Sequence, residues 1–409
     1  MNDILPEQSS AWQYLEAKFQ AVVASYSYGE IRTPIVESSE LFNRSIGEVT
    51  DIVEKEMYCF EDRNGERLAL RPEGTASIVR AGIEHGLLFN QTQRFWYRGP
   101  MFRYEKPQKG RYRQFQQIGV EAFGMAGADI DAEVILLCAS FWRSLGILDS
   151  LTLELNSLGS NSAREQYQQA LVKYLSEREE QLDEDSQKRL LTNPLRILDS
   201  KEQSTQALLD NAPSLSDYLD PEAAEHFATL TSILDAAGIS YKINPRLVRG
   251  LDYYNKTVFE WTTDKLGAQG TVCAGGRYDG MVKQLGGKAT AAVGMAMGTE
   301  RLLLMLETLK VIPEQVSQNL DLYLAAEDKG LQSELVMVAE QLRSALPSLR
   351  IRVHCSGLKN ILNKARQTGA TKVALLKRAA DGQLVATLWH AEEVVRDLSI
   401  VELTSSLQE

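Results

Sequence analysis

Two stretches of the sequence gather side chains that could do chemistry together. The first is GPMFRYEKPQKGRYRQF, residues 99–115. It interleaves the cations Arg103, Lys106, Lys109, Arg111 and Arg113 with Phe102, Tyr104, Tyr112 and Phe115. A charge run is ordinarily a solvated loop. Arginine beside aromatic rings, however, offers a fork for phosphate and a face for a base. The pattern predicts a strand through Arg103 and Glu105, which would then share one face. The second stretch is VRGLDYYNKTVFEW, residues 248–261, where Arg249, Gly250, Asp252, Tyr253 and Tyr254 crowd ahead of a strand pattern. That composition suits the wall of a site for something charged and something flat.

Other signals are weaker or negative. LRPEGT (70–75) reads alone as turn chemistry. GMAMGTERLLLML (294–306) reads as a small-residue strand, then a helix with Arg301 in its first turn. A helix start plus arginine suits a phosphate tail, although a surface arginine is the ordinary reading. Neither GxGxxG nor GxxxxGK[ST] occurs, and GGKAT (286–290) lacks the earlier glycine, which argues against Rossmann and P-loop sites. The four cysteines form no CxxC and the four histidines fall at no ligand spacing, so neither a disulfide framework nor a protein-built metal site is expected. A net charge of −11 argues against a bulk nucleic-acid coat and leaves room for a local basic patch. With a polar start and its longest apolar run at VILLCASFW, the chain is expected in the cytoplasm, off the membrane.

These residues need elements to position them. Residues 9–26 place Trp12, Leu15, Phe19, Val22, Val23 and Tyr26 at helical spacing, with Ser9 or Ser10 as cap. Pro34 breaks a strand-like segment, which suits an edge or interface. YCFEDRNGERLAL predicts a hairpin turning at Asn64-Gly65. RFWYRGPMFRYE and RQFQQIGVEAFG predict two strands around the loop KPQKGRY, and a helix over 131–145 stops at Gly146. Residues 160–235 turn charged and helical, as an insertion between two halves of a sheet-rich core. After KVIPEQVSQN the pattern β-α-β-α-β predicts a separate α/β domain. The expected layout is a first domain over 1–315 containing the insertion, and a second over 318–409.

Taken in order, TPIVE, LRPEGT, FRYE…GRYRQFQQIGVE, LVRGLDYY…TVFEW, AGGRYDG and GMAMGTERL resemble the histidyl-tRNA synthetases, a class II aminoacyl-tRNA synthetase family. RGLDYY and GGRYDG are specific to that family and its close relatives. The resemblance implies an α+β fold: an antiparallel six-stranded sheet flanked by helices, a helical insertion and a C-terminal α/β anticodon-binding domain. It also implies a homodimer with the Pro34 segment at its interface. The implied reaction activates L-histidine on the α-phosphate of ATP, with Mg²⁺, then acylates the 3′ end of tRNA(His).

The resemblance implies roles too. Arg103 and Arg249 would hold the α-phosphate and act catalytically. Glu105 would face adenine, Phe115 would stack on it, and Arg111 and Arg301 would take the γ-phosphate end. Glu121 and Tyr254 would hold the imidazole, and Tyr253 would line the pocket. Glu73 would meet the α-amino group, with Gly74, Thr75 and Gln117 beside it. Against the family, Thr299 stands where leucine is more usual, which suggests a helix cap. The C-terminal domain departs most, so its contacts do not carry over; Lys359 and Lys364 suit phosphate but read ordinarily as surface lysines. Two alternatives stay open: the non-catalytic, histidine-sensing regulatory subunit of ATP phosphoribosyltransferase, and a class II enzyme for another amino acid. The retained arginines and the C-terminal domain count against the first, RGLDYY and Glu121 against the second.

Overall fold

Pro6 opens the first helix, α1 (Pro6–Ser25), three residues ahead of the expected serine cap. Proline lacks an N–H that the first helical turn would leave unpaired anyway, and its φ is already helical. Ser9 instead lies inside the helix, its hydroxyl donating to the Leu5 carbonyl at 3.1 Å. The structure is a computed structural model that describes residues 2–47, 50, 52–267, 270–317, 320–354, 361–390 and 393–408; Cys355 and Lys359 lie outside the described residues. The chain divides into two compact units, the first built on Trp12–Val311 and the second on Ile312–Glu409.

After α1 come β1 (Gly29–Glu30), β2 (Val36–Ser38) and α2 (Ser39–Ile46). The expected hairpin follows as β3 (Tyr58–Glu61) and β4 (Arg67–Leu70), with Gly65 at φ 82° in its turn. Glycine takes that left-handed geometry without strain. Next are α3 (Thr75–Glu84), the paired β5 (Gln93–Phe102) and β6 (Gln114–Phe123), and α4 (Ala128–Leu145), which Gly146 stops at φ 71°. β7 (Thr152–Ser157) leads into four helices: α5 (Asn161–Ser176), α6 (Glu184–Thr192), α7 (Gln203–Leu209) and α8 (Pro221–Ala236). The unit ends with β8 (Tyr241–Ile243), β9 (Asn255–Thr262), β10 (Thr271–Arg277), α9 (Met281–Gln284), β11 (Ala292–Gly298) and α10 (Thr299–Leu309).

The main sheet runs β1-β5-β6-β11-β10-β9-β7-β8. Its inner six strands are antiparallel throughout. The short edge strands β1 and β8 pair parallel, so the sheet is mixed and wider than the expected six. α1 and α4 cover one part of it: Phe19 packs edge-on against Phe141 at 5.2 Å, and Trp142 against Trp261 at 6.4 Å. A small separate sheet, β2-β4-β3, holds the segment after Pro34 at its edge. Among the described residues no helix is long and apolar enough to cross a membrane.

The second unit starts with α11 (Glu314–Ser317) and continues as β12 (Leu320–Ala326), α12 (Gln332–Ala345), β13 (Ile351–His354), α13 (Ile361–Gln367) and β14 (Ala370–Arg378). β13, β12 and β14 are parallel, as the β-α-β pattern implies. Two antiparallel strands then extend the sheet, β15 (Leu384–His390) and β16 (Glu393–Ser399), before α14 (Ile400–Ser406) closes it with a capping box from Ser399 and Glu402. Lys364 Nζ lies 3.3 Å from His354 Nε2 inside this unit.

Candidate functional site

The site begins with a carboxylate that the sheet pulls out of water. Glu121 sits on β6 at 1% exposure. Across the ladder it faces Gly294 of β11, where a Cβ would collide with the carboxylate. Thr75 Oγ1, at the start of α3, donates to Glu121 Oε1 at 2.7 Å, and the Tyr278 hydroxyl donates to Oε2. Burial nonetheless pushes this carboxyl up to about 8, opposed by the two hydrogen bonds and aided by the nearby Glu73 charge. Glu73 is also buried and raised by desolvation. Its oxygens accept from the Thr75 and Ala76 amides at 2.7 and 2.8 Å, capping α3 while leaving lone pairs for a ligand amine.

Three tyrosines stand by this carboxylate. Tyr253 and Tyr254 are nearly buried with rings 4.6 Å apart, and Tyr278 meets Tyr253 edge-on at 5.6 Å. Gln117 completes the polar wall. Gly74 does not line the cavity, contrary to expectation; it clears room for Tyr97, whose ring a Cβ would enter.

The same cavity, of about 320 Å³, takes in Arg103, Arg111, Arg249 and Arg301. Arg103 and Glu105 lie just past the end of β5, not on it. Beyond Phe102 the ladder gives way to a tight turn in which the Glu105 amide donates back to the Arg103 carbonyl at 2.8 Å. Both residues still reach the cavity: Arg103 Nε donates to the Pro72 carbonyl at 2.9 Å, and its guanidinium lies 5.4 Å from the Phe115 ring centre. Burial lowers the Arg103 pKa. Glu105 pairs with Arg111.

Arg249 pairs with Glu260 of β9. Burial opposes its charge, but Glu260 holds its pKa up. Its Nε has no hydrogen-bond partner among the described residues. Glu260 also accepts from Thr271 Oγ1 at 2.8 Å, while the Thr271 carbonyl accepts from Arg301. Burial lowers Arg301, and the neighbouring Arg111 and Arg103 charges lower it further. The four arginines share the cavity with five carboxyl groups, Glu73, Glu105, Glu121, Glu260 and Glu300. Burial raises the pKa of Glu73, Glu121 and Glu300 and so disfavours their charged forms. That tips the balance toward the arginines and suits a polyanion.

Reading the sequence alone missed Tyr278, Glu260, Thr271 and Glu300. Glu300, second in α10, accepts from the Gln116 amide at 2.9 and 3.0 Å and is pushed up to about 7 by burial. Tyr278 lies within GGRYDG, Glu260 within TVFEW and Glu300 within GMAMGTERL, so the motifs marked their neighbourhoods without singling out the side chains. Thr271 lies in none of them and is placed by strand register. Thr299 is not the cap of α10: Gly298 holds that position and the buried Thr299 Oγ1 has no partner among the described residues.

A family model described as histidyl-tRNA synthetase matches residues 1–302. The chain belongs to the histidyl-tRNA synthetase family. The crystal structure of apo S. aureus histidyl-tRNA synthetase matches at 33% identity and a TM-score of 0.81, over 100% of this chain and 98% of that one. Histidyl-tRNA synthetase from Nostoc sp. PCC 7120 shares the fold at 18% identity, TM-score 0.72, over 100% and 97%. A third structure shares it at 20% identity, TM-score 0.65, over 90% and 94%: an ATP phosphoribosyltransferase regulatory subunit/histidyl-tRNA synthetase from Bacillus halodurans C. The mixed sheet and separate C-terminal sheet therefore belong to the class II histidyl-tRNA synthetase fold.

Proposed function

We propose that this member of the family is a working histidine–tRNA ligase. The histidine carboxylate attacks the α-phosphorus of ATP, pyrophosphate leaves, and the adenylate then acylates the 3′ end of tRNA(His). The observation that carries the reading is one cavity lined both by Arg103, Arg111, Arg249 and Arg301 and by the buried Glu121–Tyr278–Thr75 group. Phosphoryl transfer needs positioning and charge neutralisation more than a protein nucleophile. Arg103 and Arg249 neutralise the α-phosphate, and Arg111 and Arg301 take the phosphate tail. Phe115 stacks on adenine and Glu105 faces it. Glu121 and Tyr254 hold the imidazole beside Tyr253, while Glu73, Thr75 and Gln117 meet the amino group. A substrate unable to hydrogen-bond back would leave these groups unpaired. Among the described residues no three His, Cys, Asp or Glu side chains gather to hold a metal. The cavity's carboxylates are engaged by arginines, hydroxyls or amides, so Mg²⁺ enters with its nucleotide as MgATP. The working form is a homodimer in the cytoplasm.

The regulatory-subunit reading has one observation in its favour, the fold shared with the Bacillus halodurans protein. The four arginines around one cavity favour the enzyme, since a histidine sensor has no phosphate to neutralise. ATP–pyrophosphate exchange with each of the twenty amino acids, without tRNA, tests the choice. Exchange with histidine alone is expected. Histidine binding without any exchange would overturn the enzyme and favour the sensor.

A further inference from the structure

The motif RGLDYY contains one charged residue that the reaction leaves unused, Asp252. Its side chain is exposed, yet the surrounding loop is held from several sides. The Asp252 amide donates to the Ile46 carbonyl at 3.2 Å, and its carboxylate packs where a Cβ on Gly47 would stand 2.7 Å away. The remaining holds come from the helical segment between β7 and β8. Arg164 of α5 donates through Nη1 to the Asp252 carbonyl at 3.3 Å and to the Tyr254 carbonyl at 2.7 Å, bracketing Tyr253. Asn193, just past α6, donates from Nδ2 to Asp252 Oδ1 at 3.0 Å. Arg196 occupies the space beside Gly250, where a Cβ would come 2.6 Å from Nη1.

The geometry points to Arg164 and Asn193 as positioning residues for the candidate histidine pocket, acting from the helical segment through the loop residues that carry Tyr253 and Tyr254. A loop carbonyl fixed on each side of Tyr253 sets where both phenols point. Without those donors the loop would sample other shapes, and the binding-competent fraction would fall. Neither side chain lines the cavity, so their effect is indirect. The helical segment thereby gains a route to the pocket: whatever shifts α5 or α6 changes histidine affinity. This inference rests on the cavity taking histidine.

Histidine affinity by calorimetry, and histidine and ATP KM values in pyrophosphate exchange, test it on the full-length protein. Arg164→Met is expected to weaken histidine binding about tenfold with the ATP KM within about twofold, and Arg164→Lys to recover much of the loss. Asn193→Asp sets two carboxylates together and is expected to weaken histidine binding about threefold. Asn193→Asp with Asp252→Asn exchanges donor and acceptor and should return affinity to about the wild-type level. An unchanged histidine affinity in Arg164→Met overturns the inference. So does a loss shared equally by histidine and ATP alongside a lower melting temperature, which marks plain structural support. Should Arg164→Met not fold, the exchanged pair decides: no recovery overturns the inference. Wild-type protein that binds no histidine sinks the functional reading and this inference together; unchanged variants of a protein that exchanges sink this one alone.

Discussion

Glu121 is where the chemistry of single residues makes its sharpest demand. Its carboxyl is pushed up to about 8 by burial, so in the empty pocket at pH 7 it holds its proton. Free imidazole titrates near 6.5. A carboxylate–imidazolium pair and a carboxylic acid–imidazole pair contain the same single proton. Between about pH 6.5 and 8 the separated partners already hold that proton between them. Below this window one must leave on binding; above it one must be taken up. Histidine affinity is therefore expected to be flat across the window and to fall about tenfold per pH unit on either side. In Glu121→Gln the alkaline limb should vanish and affinity at pH 7 should drop about tenfold or more. The empty protein reports the same proton. Because the native carboxyl titrates above its ordinary 4.5, the native state binds more protons than the unfolded one, and stability is lost as pH rises from about 4.5 to about 8. Glu121→Gln should lose less melting temperature than wild type over that range. A wild-type alkaline limb that persists in the variant would remove Glu121 from histidine recognition.

At the scale of elements, the β5–β6 hairpin joins the cavity to an exposed basic loop. Lys106 and Lys109 are exposed on it, Gly110 turns it at φ 75°, and Arg113 lies 3.9 Å over the Tyr104 ring. The chain as a whole is acidic, so tRNA needs local cations of this kind. Replacing Lys106 and Lys109 by alanine is expected to flatten the salt dependence of the tRNA KM, by about 0.7–0.9 in log–log slope per lost phosphate contact. Pyrophosphate exchange should stay within about twofold of wild type, and an unchanged salt slope would remove the loop from tRNA binding. Much at this scale was legible in advance. Asn64-Gly65, Gly146 and the TERLLLMLETL helix each carry a local steric or periodic signal. The edge strand β1 does not, because two residues set no period. β15 and β16 lie beyond the β-α-β pattern, which is complete without them. The arginines and Glu121 could be singled out from motifs. Glu260 and Glu300 lie inside TVFEW and GMAMGTERL, but their partners, like those of Thr271, follow only from the ladder β9–β10–β11–β6 and the placement of α10.

At the scale of the whole molecule, the small sheet bears on assembly. Register puts Val36, Leu70 and Tyr58 in one row and Ser38, Leu68 and Phe60 in the next, all on one face. The opposite face buries Ala69 and Glu37 completely or nearly so. On the first face Val36 and Phe60 remain 39% and 44% exposed. A face on a short sheet that is apolar but for Ser38 is costly to leave in water and fits the proposed homodimer contact. Two-fold contacts repeat every residue, so one substitution acts twice in each dimer. Phe60→Glu would bring two carboxylates into that contact, each without a partner charge. The expected result in sedimentation equilibrium is a shift from twice the chain mass toward the single mass at micromolar protein. Histidine-dependent exchange should fall with the dimer fraction, because β4 leads directly into Arg71, Glu73 and α3. If Phe60→Glu sediments like wild type, the subunits meet elsewhere. If it is monomeric with full exchange, each site is complete within one chain and the dimer serves another step.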